Sequence, residues 1–253
     1  METITTRAHG IDVSKYDISF KPANATKQLD FVIQRASYGQ VKDEAFDTLY
    51  PGVALMPVRM AYHYLNSGVS VATQVDKFLS VVGSKGFHAY ACDFEEYYNT
   101  MSVDFAKMAW DFMKEVAVRT GKRVLLYTNP NNYDTYIYPS QAKFGINWSL
   151  ADLWLAQWYN TPQPNGTPSM PTHRTAGWSF WQYFNSKTDG AKYGIGRTTV
   201  DLNVFNGTVS DMKNWLGIGE TTPPTTVYPK ASFSLTVDGV VYEANDVELK
   251  PKP

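Results

Sequence analysis

Asp93 and Glu95 stand two residues apart in HAYACDFEEYY, directly after a run of apolar and small residues. If that run is a strand, alternation puts both carboxyls on one face and sends Glu96 to the other. Their Cα atoms would then lie roughly 6.5 Å apart, at about 3.3 Å per residue. Acids forced together raise the proton affinity of one of them, which is what a general acid needs near neutral pH. A solvated rim is the bland alternative for a lone D-x-E, and the apolar run before it favours function. Two further acids sit in comparable surroundings, Asp12 in HGIDVSKYD and Asp201 in TVDLNVFNG. Carboxylates without a His, Ser or Cys partner suit cleavage of a glycosidic bond. One acid protonates the leaving oxygen and a second negative group supports an oxocarbenium-like transition state. Tyr62 and Tyr64, Tyr127, Trp154 and Trp158, and Trp178 and Trp181 are of the type that stacks on sugar rings, although each taken singly is more often core.

Composition removes several other classes. The 253 residues carry a formal net charge of -1, which leaves no electrostatic footprint for nucleic acid or an anionic membrane. No apolar run approaches the length of a membrane span. The single Cys92 excludes an internal disulfide and a multi-thiolate metal site. Four histidines, none in an H-E-x-x-H arrangement, argue against a zinc hydrolase, so no metal or cofactor is expected.

The acids need a frame to hold them. Short apolar runs predict strands at His9–Ser14, Phe31–Ser37, Val58–Leu65, His88–Glu95, Lys122–Asn129, Leu153–Trp158, Trp178–Phe184 and Val200–Asn206. Most are apolar on both parities, as in a parallel sheet buried on both faces. Val71, Val75, Phe78, Leu79 and Val82 mark one helix. Phe105 to Val116 marks another, capped at Ser102 and stopped at Gly121. The Pro, Gly and Thr-rich stretch after Tyr159 and the segment Ser186–Thr199 carry no helical stripe. The expected fold is therefore α/β: an irregular TIM-like (β/α) barrel of eight strands with an incomplete helical ring. In such barrels functional residues gather at the C-terminal ends of strands, and the first and last strands are neighbours. Asp12, Asp93, Glu95 and Asp201 would thus share one mouth.

The barrel is expected over residues 1–217, with Asp211–Leu216 as a closing helix, followed by a Thr/Pro-rich linker over 218–230. Residues 231–253 contain SLTV-DG-VVYE, a two-residue hairpin signal. A tail this short cannot bury its own core. It is expected to pack on the barrel, to pair with another chain, or to be the start of a further module, with self-association and virion or cell-wall attachment as the roles open to it.

Taken in order, GIDVSKYD, FVIQRASYG, KDEAF, AYHYL, DFEEY, LLYTN, LWLAQW, WSFWQY and VDLNVF resemble glycoside hydrolase family 25. These are the Chalaropsis-type lysozymes, or N-acetylmuramidases, many of them phage endolysins. The similarity runs from about His9 to Leu216. It implies about five helices around the eight strands. It also implies hydrolysis of the β-1,4 bond between N-acetylmuramic acid and N-acetylglucosamine in peptidoglycan. The family's general acid falls on Glu95, its partner acid on Asp93, and its first- and last-strand acids on Asp12 and Asp201. Mouth aromatics fall on Tyr62, Tyr127 and Trp154; with Tyr64, Trp181 and Tyr38 they form the expected substrate-binding set. Many members read K-A-S-E-G where this chain has Arg35-Ala36-Ser37-Tyr38-Gly39, so Tyr38 replaces an acidic side chain that can line the cleft.

On this reading Glu95 protonates the glycosidic oxygen. Asp93 either attacks the anomeric carbon or orients the substrate's N-acetyl group to attack, the second being preferred because such sugars already carry that nucleophile. Asp12 and Asp201 position and tune. The expected partner is the peptidoglycan glycan strand, with no nucleic acid, membrane or cofactor. An N-terminus without an apolar signal core and a chain without disulfides fit a phage-encoded lysin, made in bacterial cytoplasm and acting on the wall after release or within a virion. The rival is a non-catalytic cell-wall carbohydrate-binding barrel of a virion or surface protein. A chitinase-type barrel ranks below both, because D-x-x-D-x-D-x-E is absent around Glu95.

Overall fold

A computed structural model describes residues 6–95, 100–218, 230–237 and 240–248, so Glu96 and most of the linker lie outside the described residues. The chain divides into a unit of residues 1–219 and a second of residues 220–253.

The first unit is a closed barrel. Its strands are β1 (His9–Val13), β2 (Phe31–Tyr38), β4 (Val58–Tyr64), β5 (Ala89–Asp93), β6 (Val124–Thr128), β7 (Leu153–Ala156), β8 (Phe180–Ser186) and β9 (Val200–Phe205). A two-residue strand, β3 (Val41–Lys42), folds back on β2. Neighbours run β1-β9-β8-β7-β6-β5-β4-β2, and β1 pairs with β2 to close the ring. All of these pairings are parallel except the two made by β9, which runs antiparallel to both β8 and β1. The irregular eight-strand barrel expected from the sequence is present, and its departure from a parallel sheet lies in this one strand. The helix-free segment 157–179 carries the chain back to the starting end of the barrel, so β8 runs parallel to β7, whereas segment 187–199 does not and β9 runs back along β8.

Alternation along each strand divides the core in two. Phe31, Ile33, Met60, Tyr62, Ala91, Leu125, Tyr127, Trp154, Phe180 and Phe205 fill the barrel interior. The intervening residues, among them Val32, Cys92, Leu126, Leu155 and Trp181, pack outward in a cluster that includes Phe78 and Phe112. Gly10 on β1 admits the Phe31 ring: a Cβ there would lie 2.4 Å from a ring carbon.

Helices cover one side. These are α1 (Phe46–Ala54), α2 (Val71–Val82), α3 (Val103–Thr120), α4 (Pro130–Asn132), α5 (Tyr138–Phe144) and α6 (Val209–Trp215), with a π-helical turn at Tyr133–Ile137 joining α4 to α5. Ser70 and Ser102 cap α2 and α3 by accepting from Thr73 N–H and Phe105 N–H. Gly121, at φ 66°, ends α3 in the left-handed region. Among the described residues no helix is long and apolar enough to cross a membrane.

In the second unit, Lys230–Val237 and Val240–Glu248 pair antiparallel, with an irregularity between Ala231 and Phe233.

Candidate active site

One end of the barrel opens into a cavity of about 190 Å³ whose lining includes Asp12, Asp93, Glu95 and Asp201. Three of these acids come from the C-terminal side of parallel strands. Asp201 does not. It sits at the start of β9, and only the reversed direction of that strand carries it to the same mouth.

Asp93 is the last residue of β5 and is 4% exposed. Its Oδ1 is buried with no hydrogen-bond partner among the described residues. The strand ends before Glu95, a correction to the boundary expected there. The chain nevertheless keeps its extended path one step further, because Phe94 N–H donates to Tyr127 O at 2.9 Å. Phe94 turns into the outer core and Glu95 returns to the mouth, partly exposed.

Asp12 faces inward from β1, where its Oδ2 accepts from Gln182 Nε2 (2.7 Å) and Asn203 Nδ2 (2.8 Å). Gln182 Oε1 accepts in turn from Tyr127 OH and from Trp158 Nε1, both at 2.9 Å. Asn203 Oδ1 accepts from Trp154 Nε1 at 2.8 Å. The floor is thus a connected set in which two amides hold one carboxylate and three aromatic side chains. Such a network fixes geometry when its members are satisfied. Asp201 accepts from Asn185 Nδ2.

Burial dominates the electrostatics. It pushes the Asp93 carboxyl well above the usual range; the charge of Glu95 adds to this, and the Arg35 guanidinium opposes it. Asp12 is pushed the same way by burial and then by Asp201, while its two amide donors pull it back. Burial raises Asp201 as well. Glu95 is pushed up to about 7 by burial, against Arg35 and with a contribution from Asp201. Glu95 is therefore an acid that still holds its proton near neutral pH while reaching solvent.

Tyr62, Tyr64, Tyr127 and Trp154 line the cavity. Trp154 is the centre of the aromatic floor: its ring lies 5.8 Å from Tyr62, edge to face, and 4.5 Å from Tyr127. Trp158, 56% exposed, stands above them as a wall. Tyr38 lies in a second, adjoining cavity, edge-on to Tyr64 at 5.4 Å. A bulge in the β2–β4 ladder between Arg35 and Ser37 puts it there. The extra residue shifts the parity, so that Ser37 turns outward to His63 and Tyr38 turns to the mouth.

Trp181 is a correction. It is fully buried among Trp178, Tyr183 and Tyr159 on the outer side, with its Nε1 donating to Gln157 O, and it cannot reach a sugar in the cavity. Gln182, Asn203 and Arg35 were not singled out from the sequence. Each is a polar residue at an inward position of an apolar strand, and that interruption was the available signal. Among the described residues no group of three or more His, Cys, Asp or Glu side chains is arranged to hold a metal ion.

The family model for "Glycosyl hydrolases family 25" matches residues 11–190. The Escherichia coli protein YegX, from strain CFT073, is 28% identical over 228 residues, covering 84% of this chain and 75% of that protein. YegX of strain K12 matches to the same extent. A family 25 glycosyl hydrolase from Bacillus anthracis superposes with a TM-score of 0.66 at 24% identity, over 85% of this chain and 95% of that one. A family GH25 lysozyme from Aspergillus fumigatus gives 0.67 at 22% identity, over 85% and 100%. A bacterial lysozyme from Streptomyces coelicolor gives 0.62 at 23%, over 85% and 98%. At these identities the structural likenesses speak for the fold.

Proposed function

This chain belongs to family 25 of the glycosyl hydrolases, and on that premise we propose that it is an N-acetylmuramidase. It cleaves the β-1,4 bond between N-acetylmuramic acid and N-acetylglucosamine in peptidoglycan, with Glu95 as general acid. The observation that carries this reading is the convergence of Asp12, Asp93, Glu95 and Asp201 on one cavity, with Glu95 at its open side. A Glu pushed up to about 7 delivers a proton to a leaving oxygen at neutral pH.

Asp93 is the second acid. We assign it to orienting the substrate's acetamide, whose oxygen attacks the anomeric carbon. Its buried Oδ1, without a partner among the described residues, is an acceptor available to an acetamide N–H. Asp12 is anchored by Gln182 and Asn203 and acts on the sugar and on Asp93 through its charge. Asp201 raises the proton affinity of Glu95. Trp158 and the floor aromatics offer faces to the sugar rings.

The test is digestion of purified peptidoglycan of known composition, with mass spectrometry of the new reducing ends. N-acetylmuramic acid ends are expected. N-acetylglucosamine ends would reassign the bond, and intact glycan at high enzyme concentration would leave a carbohydrate-binding barrel in its place.

A further inference from the structure

A second cavity of about 460 Å³ opens directly beside the first and shares Tyr16, Arg35, Tyr64 and Glu95 with it. That size lies in the range of small-ligand pockets. The two cavities differ in charge. The first holds Asp12, Asp93, Glu95 and Asp201 against Arg35 and Arg197. The second holds Lys15, Arg35 and Lys42 against Asp43, Glu44 and Glu95.

The anions of the second cavity are largely occupied. Asp43 is fully buried, pairs with Arg35, and accepts from the N–H groups of Lys15 and Ala45. Glu95, pushed up to about 7 by burial, is uncharged for part of the time near neutrality. Tyr38 adds a ring to this wall and no carboxylate. The ammonium groups of Lys15 and Lys42 stand at the rim, with side chains 38% and 42% exposed. Their partners, Glu44 at 3.5 Å and Asp47, are themselves exposed, and exposed pairs of this kind bind only weakly.

We propose that this side pocket receives the peptide arm of the muramic acid unit, with the peptide's carboxylates facing Lys15 and Lys42 while the glycan chain crosses the acidic cavity. The proposal rests on the muramidase reading and adds a specificity site to it. Muramic acid differs from its neighbour in the chain by a lactyl ether that carries a peptide, and that peptide bears free carboxylates. The cations of the first cavity, Arg35 and Arg197, are already paired with Asp43 and Asp17, so an anionic arm finds no free partner among them. The cationic space joined to it through Glu95 is where such an arm is accepted.

The experiment compares peptidoglycan with the same material after its carboxyl groups have been converted to amides, which removes the charge and leaves the glycan intact. The parent enzyme should show a kcat/KM about 5- to 10-fold higher on the untreated material. Lys15→Glu and Lys42→Glu should each lose most of that preference. Lys114→Glu, the same change of charge on the exposed face of α3, should keep it. Equal rates of the parent on both substrates, or an undiminished preference in both rim variants, would overturn the proposal. Failure of the muramidase reading looks different: neither substrate yields new N-acetylmuramic acid ends.

Discussion

Asp12 and Asp201 face one another in register across the antiparallel pairing of β1 with β9. Like charges directly opposite in a ladder are destabilising, and here both carboxyls are also largely buried. The barrel therefore holds an unfavourable pair at its mouth, and that pair feeds the acid chemistry. Asp201 raises Asp12 and also raises Glu95.

Asp201→Asn should separate these effects. Loss of the negative charge makes the ionised form of Glu95 easier to reach. The alkaline limb of the pH–rate profile should move to lower pH, by about half a unit to one unit. Relief of the Asp12 repulsion should also raise stability at pH 7 by roughly 0.5–1 kcal/mol, read as a higher midpoint in denaturant. That gain should shrink as the pH falls and the acids protonate. A limb that stays in place would remove Asp201 from the tuning of Glu95.

Glu95→Gln keeps the shape of the side chain and removes the proton that is transferred. Activity on peptidoglycan should fall by about 10² to 10⁴, the usual share of a general acid. Thermal unfolding and binding of glycan fragments should be retained, because the wild-type group is already neutral for part of the time near pH 7. In the parent, the rate should decline as pH rises through about 7. Clearing of walls by the variant at a rate near the parent's would sink the assignment.

The framework was legible because eight apolar runs and two striped, capped helices obey simple periodicities. Strand direction was not legible. A run buried on both faces reads the same in either sense, so nothing in TVDLNVFNG distinguishes an antiparallel β9. Asp201 reached the site for a reason other than its place at a strand's end. Trp181 was drawn toward the cleft by residue type, whereas its place between the inward Phe180 and Gln182 puts it outside. Tyr38 depends on a bulge that only the register against β4 reveals. Two helical segments left weak traces. Pro51 lies inside α1, which has no side-chain cap, and the π-helical turn at Tyr133–Ile137 breaks the 3.6-residue period between α4 and α5.

Gln182 is the hinge of the polar floor, since it donates to Asp12 and accepts from Tyr127 and Trp158. Gln182→Leu leaves a buried carboxylate with one donor fewer and a buried tyrosine hydroxyl without that acceptor. A loss of about 1–3 kcal/mol in unfolding free energy is expected. Trp158, freed from its tether, should also lose its fixed orientation, raising KM more than a substitution that only destabilises the fold. A variant with unchanged KM and only lower stability would confine Gln182 to the core.

His63 provides a pH dependence separate from the site. It is fully buried, with Nδ1 2.8 Å from Ser37 Oγ, Nε2 3.0 Å from Gln74 Oε1, and its ring stacked on Phe112 at 4.6 Å. Serine, histidine and glutamine in this order suggest a nucleophile relay, but all three are fully buried, and the set ties β2, β4 and α2 together. Burial lowers the imidazole to about 4 from the ordinary 6.5. Between those values the unfolded chain binds a proton that the folded chain does not. Stability contributed by the neutral ring is complete above about 6.5 and is lost as the pH falls toward 4, by up to about 3 kcal/mol. The buried acids act with the opposite sign. Asp12 and Asp93, raised by burial, take up protons more readily in the folded state, so their contribution falls as pH rises. Comparison of the parent with His63→Asn isolates the histidine, because the acids are common to both. The difference in unfolding free energy between the two proteins should be largest at pH 7 and should narrow by about 2–3 kcal/mol on going to pH 4.5. A difference that stays constant over this range would mean that the His63 ring accepts its proton without leaving the core.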